Sequence, residues 1–184
     1  MATATGLLTA EEFARLPQPE DGSQQELVKG VIVTMPPPSF PHGEVCIELG
    51  YQLRKYVREY KAGFATSNDS GVILARNPDT VRGPDLAYWS RERLPERPRG
   101  GYPSVPPDLA IEVLSPSDVF TKVHAKVQEY LKAGVRLVWV FVPEDRSVAV
   151  FRSGKDSSIL YNGDVLSGED VLPGFSCPVA EVFP

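Results

Sequence analysis

Residues 109–114 read LAIEVL, an apolar run that contains a single carboxylate, Glu112. Such a run is typical of a strand that is covered on both faces in the middle of a sheet. A second apolar run, at residues 137–142, has the same character and predicts a strand from Arg136 to Val142. The two runs therefore predict two central strands.

A helix is expected between these two strands. Residues 115–118, SPSD, have the composition of a helix start with Ser117 as the N-cap. The helix is expected to run to Ala133 and to stop at Gly134.

The N-terminal part of the chain is expected to form a short helix and a strand. Thr9 and Glu12 have the spacing of a capping box, which predicts a helix from Glu11 to Leu16. Residues 27–35 are rich in β-branched side chains and predict a strand, with a bend or a hairpin at Gly30.

At residues 42–61 the apolar side chains recur every three or four residues. This spacing predicts an amphipathic helix of about five turns that stops at Gly63. Residues 64–74 are strand-like around a turn at 67–71, and residues 84–89 predict another short strand. The mixed order of strands and helices predicts one α/β or α+β domain over residues 1–184, with a central mixed sheet.

Composition excludes several classes of protein. Gly (15) and Pro (18) are too few in 184 residues for a low-complexity chain, and no apolar run has the ~20 residues of a membrane helix. The two Cys have no metal-ligand spacing, so a reduced, cytoplasmic setting is expected. The net charge of −5 argues against a strong non-specific nucleic-acid binder, although a local basic patch remains compatible with one.

Charged residues in apolar surroundings are the candidate functional residues. A buried, unpaired carboxylate costs several kcal/mol, so Glu112 needs a partner or a metal. Asp85 is a second acid, at the start of a shorter strand. At ~100° per residue, Lys126 falls on the flank of the apolar stripe of its helix, whereas Lys122 points further outward. That stripe is formed by Val119, Val123, Val127 and Tyr130.

Two acids and one amine are the composition of a metal-dependent phosphodiesterase site. Carboxylates bind hard divalent cations such as Mg²⁺, and a lysine can orient water or stabilise charge on a phosphate. The alternative is a buried structural ion network without chemistry, which the residues alone favour equally.

Several stretches resemble the bacterial Uma-two family, whose members are described as endonucleases, within the PD-(D/E)XK superfamily of restriction-endonuclease-like fold. The resemblance covers about residues 10–180. It is carried by residues 26–30 (ELVKG), 84–87 (PDLA) and 107–118 (PDLAIEVLSPSD), by Lys126 with Tyr130, and by Gly134 and Val135 before Val138 and Trp139.

The resemblance implies that Asp85, Glu112 and the backbone carbonyl of Val113 bind Mg²⁺ or Mn²⁺, and that Lys126 is the catalytic lysine. The usual superfamily position for the lysine, two residues after the acid, is occupied here by Leu114. The family places its lysine on the following helix, where Lys126 lies and where Lys122 is the competing candidate.

Glu26 and His42 match positions that could line the cleft. The residues alone favour an interaction of Glu26 with backbone donors near a strand start. For His42 they favour a surface or capping role.

The sequence therefore predicts a metal-dependent nuclease with DNA as its substrate. The alternative is a catalytically inactive interaction module that keeps the nuclease fold. The resemblance implies a homodimer, since members of the family commonly look dimeric, and an apolar C-terminal tail that is expected to be exposed permits one. Arginines in the loop at residues 90–107 either contact phosphates or form a solvated loop.

Overall fold

The computed structural model describes residues 6–154 and 156–183. The helices in this part of the chain are α1 (Ala10–Phe13), α2 (Phe40–Tyr60) and α3 (Phe120–Ala133). The strands are β1 (Gln24–Val28), β2 (Val31–Met35), β3 (Gly63–Ser67), β4 (Val72–Ala75), β5 (Thr80–Arg82), β6 (Leu86–Ser90), β7 (Leu109–Val113), β8 (Leu137–Val142), β9 (Ser147–Arg152), β10 (Ser157–Leu160), β11 (Val165–Ser167) and β12 (Ser176–Pro178).

A six-stranded mixed sheet with the order β10-β9-β8-β7-β6-β3 forms the centre of the fold. The two strands predicted from the apolar runs, β7 and β8, lie in its middle and pair in parallel. β6 pairs with β7 in antiparallel orientation, and β3 forms the edge of the sheet beside β6. The predicted α/β class with a central mixed sheet is confirmed.

The two faces of this sheet are covered by different helices. Leu109, Ile111 and Val113 of β7 pack in the same core cluster as the apolar face of α2. Ala110 packs against Val127 and other apolar residues of α3 on the opposite face. Because side chains alternate along a strand, Glu112 is directed to the α3 side.

A second sheet, with the order β2-β1-β5-β4, is antiparallel and holds the N-terminal hairpin. The hairpin joins Val28 to Val31 through a turn in which Lys29 and Gly30 both have positive φ. The predicted hairpin at Gly30 and the capping box between Thr9 and Glu12 are confirmed.

The predicted start of α3 is corrected by the structure. α3 begins at Phe120 with Val119 as its N-cap, not at Ser117, because the Asp118 carboxylate accepts a hydrogen bond from the Ser115 N–H and forms a separate turn first. The strand-like stretch at residues 64–74 is confirmed as two strands, β3 and β4, on either side of residues 68–71, and the two strands belong to different sheets.

The end of the C-terminal tail is part of the core, contrary to the predicted exposed tail. Leu172, Val179 and Phe183 are buried against the main cluster. The apolar residues from Val171 onward are thus used in the core, while Tyr161 and Val165 earlier in the tail are exposed. None of the helices in residues 6–154 and 156–183 combines the length and apolar character needed to span a bilayer.

Candidate active site

Glu112 meets two side chains of α3. Its Oε2 lies 2.8 Å from the Lys126 Nζ, and its Oε1 accepts a hydrogen bond of 2.7 Å from the Tyr130 hydroxyl. Lys126 and Tyr130 are four residues apart, so they lie on one face of the helix. That face packs on the side of β7 to which Glu112 is directed.

Glu26 reaches the same lysine from the second sheet. Its Oε1 lies 3.0 Å from the Lys126 Nζ and accepts a hydrogen bond of 2.9 Å from the Gly83 N–H. Its other oxygen lies 2.7 Å from Arg82, which also binds Glu129 of α3. Glu26 thus interacts with a backbone donor, as the residues alone suggested, and also with the candidate catalytic lysine.

Asp85 lies beside the end of β7. Its Oδ2 accepts a hydrogen bond of 2.7 Å from the Val113 N–H, and its Oδ1 lies 3.0 Å from the His42 Nε2. The pairing of β6 with β7 ends at Leu86 and Ile111, so Val113 lies past the last pair. Since the N–H and C=O of a strand residue face the same neighbour, the Val113 carbonyl faces the side on which Asp85 lies.

Burial and neighbouring charges set the protonation of this cluster. Burial raises the pKa of Glu112, and the Lys126 ammonium offsets part of that rise. Burial lowers the pKa of Lys126, but Glu112 and Glu26 outweigh it and raise the pKa overall. Burial raises the pKa of Glu26, while Lys126 and Arg82 outweigh it and lower the pKa overall. Lys126 is therefore a permanent cation at neutral pH.

Lys122 is exposed one turn before Lys126, and no salt bridge to Lys122 occurs among the described residues. Since Lys126 contacts both Glu26 and Glu112, it is the lysine that the structure places in the cluster. The helical-wheel prediction that Lys126 turns inward and Lys122 outward agrees with these positions, while the catalytic role of Lys126 stays a prediction.

His42, Cys46 and Asp85 form a second group of possible ligands. One donor atom from each lies within 4.8 Å of the others, and the His42 Nδ1 is 3.5 Å from the Cys46 Sγ. Burial lowers the pKa of His42, but the hydrogen bond and charge of Asp85 outweigh it and raise the pKa. Burial and the charge of Asp85 raise the pKa of Cys46, so the thiol stays protonated.

Asp69 is a further acid of the site, and the sequence analysis had assigned it only to a turn. Burial and the charge of Asp85 raise the pKa of Asp69 to about 6. Its backbone has a positive φ of 51°, and a Cβ on Gly83 would lie 2.6 Å from its carbonyl oxygen. The only local signal was Asn68-Asp69, a pair that tolerates left-handed backbone, and this signal does not reveal charge partners.

The donor set around Asp85 and Glu112 fits a hard divalent cation. Both carboxylates are buried at one end of β7, and the Val113 carbonyl faces Asp85. All four carboxylate oxygens have a protein partner. A carboxylate oxygen offers two lone pairs, so these partners leave capacity for a metal bond. Carboxylate and carbonyl oxygens are the ligands that Mg²⁺ and Mn²⁺ prefer.

A family model described as "Uma2: Putative restriction endonuclease" matches residues 10–180. The chain belongs to this family. A solved structure from Anabaena variabilis, described as a "putative nuclease belonging to DUF820", resembles this Uma2 protein with a TM-score of 0.80 at 23% identity. The alignment covers 96% of this chain and 97% of the other. No curated protein gives a significant match.

The family match confirms the resemblance inferred from the sequence motifs. The similarity to the Anabaena protein supports the fold, because at this identity only the architecture is shared. The Uma2 protein is thus a member of a nuclease family. Its metal ligands and its reaction have to be argued from its own residues.

Proposed function

We propose that this Uma2 protein is a metal-dependent nuclease that hydrolyses phosphodiester bonds in DNA. Asp85, Glu112 and the Val113 carbonyl would hold Mg²⁺ or Mn²⁺, which, when bound, lowers the pKa of water and neutralises charge on a phosphate. The observation that carries the proposal is the position of Lys126. Its ammonium lies 2.8 Å from Glu112, at the end of β7 where Asp85 binds the Val113 N–H.

Lys126 acts as a cation and hydrogen-bond donor rather than as a base. Because its pKa is raised by Glu112 and Glu26, it keeps its proton at neutral pH. A protonated amine can orient the attacking water and stabilise negative charge that develops on the phosphate. Glu26 positions this ammonium, and Arg82 in turn fixes Glu26.

Tyr130 and His42 position the two acids. The Tyr130 hydroxyl holds Glu112 against α3, and the His42 ring holds Asp85 from α2. Tyr130 and His42 therefore hold the two carboxylates in place without being proposed as metal ligands themselves. Such partners orient the ligands and typically affect metal affinity by 10–100-fold.

A second candidate function is a non-catalytic module that keeps the nuclease fold. It is favoured by one observation, namely that all four oxygens of Asp85 and Glu112 already have protein partners. In that case the cluster is a buried ion network whose role is structural.

Thermal melting with increasing Mg²⁺ or Mn²⁺ distinguishes the two functions. A ligand at ten times its dissociation constant stabilises the native state by about 1.4 kcal/mol, which raises the Tm of a domain of this size by about 3–6 °C. Asp85→Asn should abolish the shift. An unchanged Tm at millimolar metal in the unmodified protein favours the module.

Cleavage of plasmid and single-stranded DNA with Mn²⁺ tests the activity directly. Glu112→Gln should abolish cleavage, whereas Glu144→Gln, which makes the same change at an exposed position, should leave it intact. Cleavage that survives Glu112→Gln would refute the assigned site.

A further inference from the structure

A groove lies between α2 and the edge strand β3. Its volume is about 780 Å³. One wall is the outer face of α2, and the other includes residues 65–67 of β3. β3 is an edge strand of the six-stranded sheet, so this side of the sheet is not continued by another strand of the described chain.

Three cations follow the α2 wall. Arg54, Lys55 and Arg58 line the groove and are exposed, and none of them forms a salt bridge within the described residues. Their spacing of three and four residues places them on one helical face. One acid, Glu59, also lines the groove. Three cations against one acid are a local basic patch on a chain with a net charge of −5.

An exposed aromatic ring belongs to the same face. Tyr51 lines the groove one turn before Arg54 and Lys55, and it is 60% exposed. A cationic groove with an accessible aromatic ring is the usual combination for single-stranded nucleic acid, because cations track the phosphates and the ring stacks on an unpaired base. A base inside a duplex cannot offer its face to such a ring.

The basic surface continues around β3 to its other face. The guanidinium groups of Arg91 and Arg97 lie 5.4 and 5.3 Å from the centre of the Phe64 ring. A second cavity, of about 640 Å³, is lined by Phe64 and Arg97 and shares Arg54 with the groove. Two of the loop arginines therefore lie beside the same strand edge.

One end of the groove is lined by residues that neighbour Asp85 and His42. Cys46 and Leu86 line this end. Cys46 lies 3.5 Å from His42, which binds Asp85, and Leu86 follows Asp85 in the chain. At ~1.5 Å per residue, the α2 wall from Cys46 to Arg58 is about 18 Å long.

We propose that the groove between α2 and β3 binds a single-stranded segment of nucleic acid and leads it to Asp85, with Arg54, Lys55 and Arg58 on the phosphates and Tyr51 stacked on a base. The inference rests on the proposed nuclease function, because the strand is led to Asp85 only if Asp85 belongs to the active site. It narrows the proposed substrate to an unpaired strand.

Fluorescence anisotropy of a labelled 20-nucleotide oligothymidylate, with a 20-base-pair duplex as comparison, tests the groove. All titrations are made in EDTA, so binding is measured without metal or cleavage. The unmodified protein should bind the single strand at least tenfold more tightly than the duplex. Tyr51→Ala should weaken binding to the single strand about tenfold.

Charge neutralisation gives a second, independent readout. Arg54→Ala with Arg58→Ala should reduce the slope of log K against log salt by about 1.4, because each phosphate contact on a single strand contributes about 0.7. The matched control is Arg15→Ala with Lys132→Ala, which removes two exposed cations elsewhere and should leave the slope unchanged.

Three results would overturn the proposal: no binding to the oligothymidylate, equal affinity for the duplex, or an unchanged salt slope in the groove variant. A dimer in solution that Tyr51→Ala dissociates would assign the face to a second copy of the chain instead. Glu112→Gln separates the two proposals, because it should abolish cleavage and leave binding in EDTA intact.

Discussion

Replacing Lys126 by methionine should destabilise the protein more than any substitution at an exposed lysine. Coulomb's law at 2.8 Å, with an effective dielectric constant of ~20, gives about 6 kcal/mol for the contact between Lys126 and Glu112. Burial of the two charges offsets part of this attraction. The removal of one partner from a buried pair therefore costs about 3–5 kcal/mol, because the other charge is left in the interior.

Urea unfolding followed by the fluorescence of the buried Trp89 and Trp139 measures this loss. The loss should be larger at pH 9 than at pH 6. Burial raises the pKa of Glu112 to about 8 even beside the ammonium, and without the ammonium the pKa rises further. Below about pH 8 the carboxyl group is neutral in both folded proteins, so the extra cost of the variant develops as the pH rises through about 8, where only the unmodified protein ionises Glu112 readily.

A double-mutant cycle separates the charge pair from packing. Lys126→Met with Glu112→Gln should be less destabilised than the sum of the two single variants, by about 2 kcal/mol or more, since the double variant has no ionised Glu112 left without its ammonium partner. Lys122→Met, one turn earlier and exposed, should change the free energy of unfolding by less than about 0.5 kcal/mol. The contact between Lys126 and Glu112 would be refuted by additive effects in the cycle, or by equal losses of unfolding free energy for Lys126→Met and Lys122→Met.

Three further substitutions test the surroundings of the site. Asp69→Asn should stabilise the protein by about 1–2 kcal/mol at pH 8 and have no effect at pH 4. The pKa of Asp69 is raised to about 6 in the folded protein, so ionised Asp69 disfavours folding at any pH above its unfolded-state pKa. Urea unfolding at both pH values measures the difference, and equal effects at the two pH values would contradict the prediction. Tyr130→Phe should cost about 1–3 kcal/mol in the same assay, since it removes a donor from the buried Glu112 carboxylate, and a neutral outcome would show that this bond is weak. Gly83→Ala should lower the Tm by several degrees, because its Cβ would lie 2.6 Å from the Asp69 carbonyl oxygen. Gly43→Ala, which adds a Cβ in open space, is the control. Similar Tm values for the two variants would exclude the clash.

Local patterns were enough to predict most of the secondary structure. The alternation of apolar side chains, the turn at Gly30 and the three- and four-residue spacing in α2 all act over a few residues. These patterns therefore predicted the hairpin, both central strands and the long helix. The predicted start of α3 was wrong because the Asp118 carboxylate accepts a hydrogen bond from the Ser115 N–H. The resulting turn takes the place of the first helical turn.

The candidate site was predicted only in part, for a reason that lies in sequence separation. The inward direction of Lys126 follows from the period of its own helix, and the need of Glu112 for a partner follows from its apolar strand. Neither pattern identifies Glu26, which reaches Lys126 from a different sheet. Asp69 was missed for the same reason, because its effect arises from burial beside Asp85.

The amino-acid order alone specified which side chains would be costly to bury without partners, since cost depends on residue type and on the apolar residues beside it. The packing of two sheets and two helices selected the partners, because charges far apart in the chain meet only when these elements pack. The same packing placed the cations of α2 along the open edge of β3. A count of charges over the whole chain cannot reveal such a patch, since it depends on which helical face is left exposed.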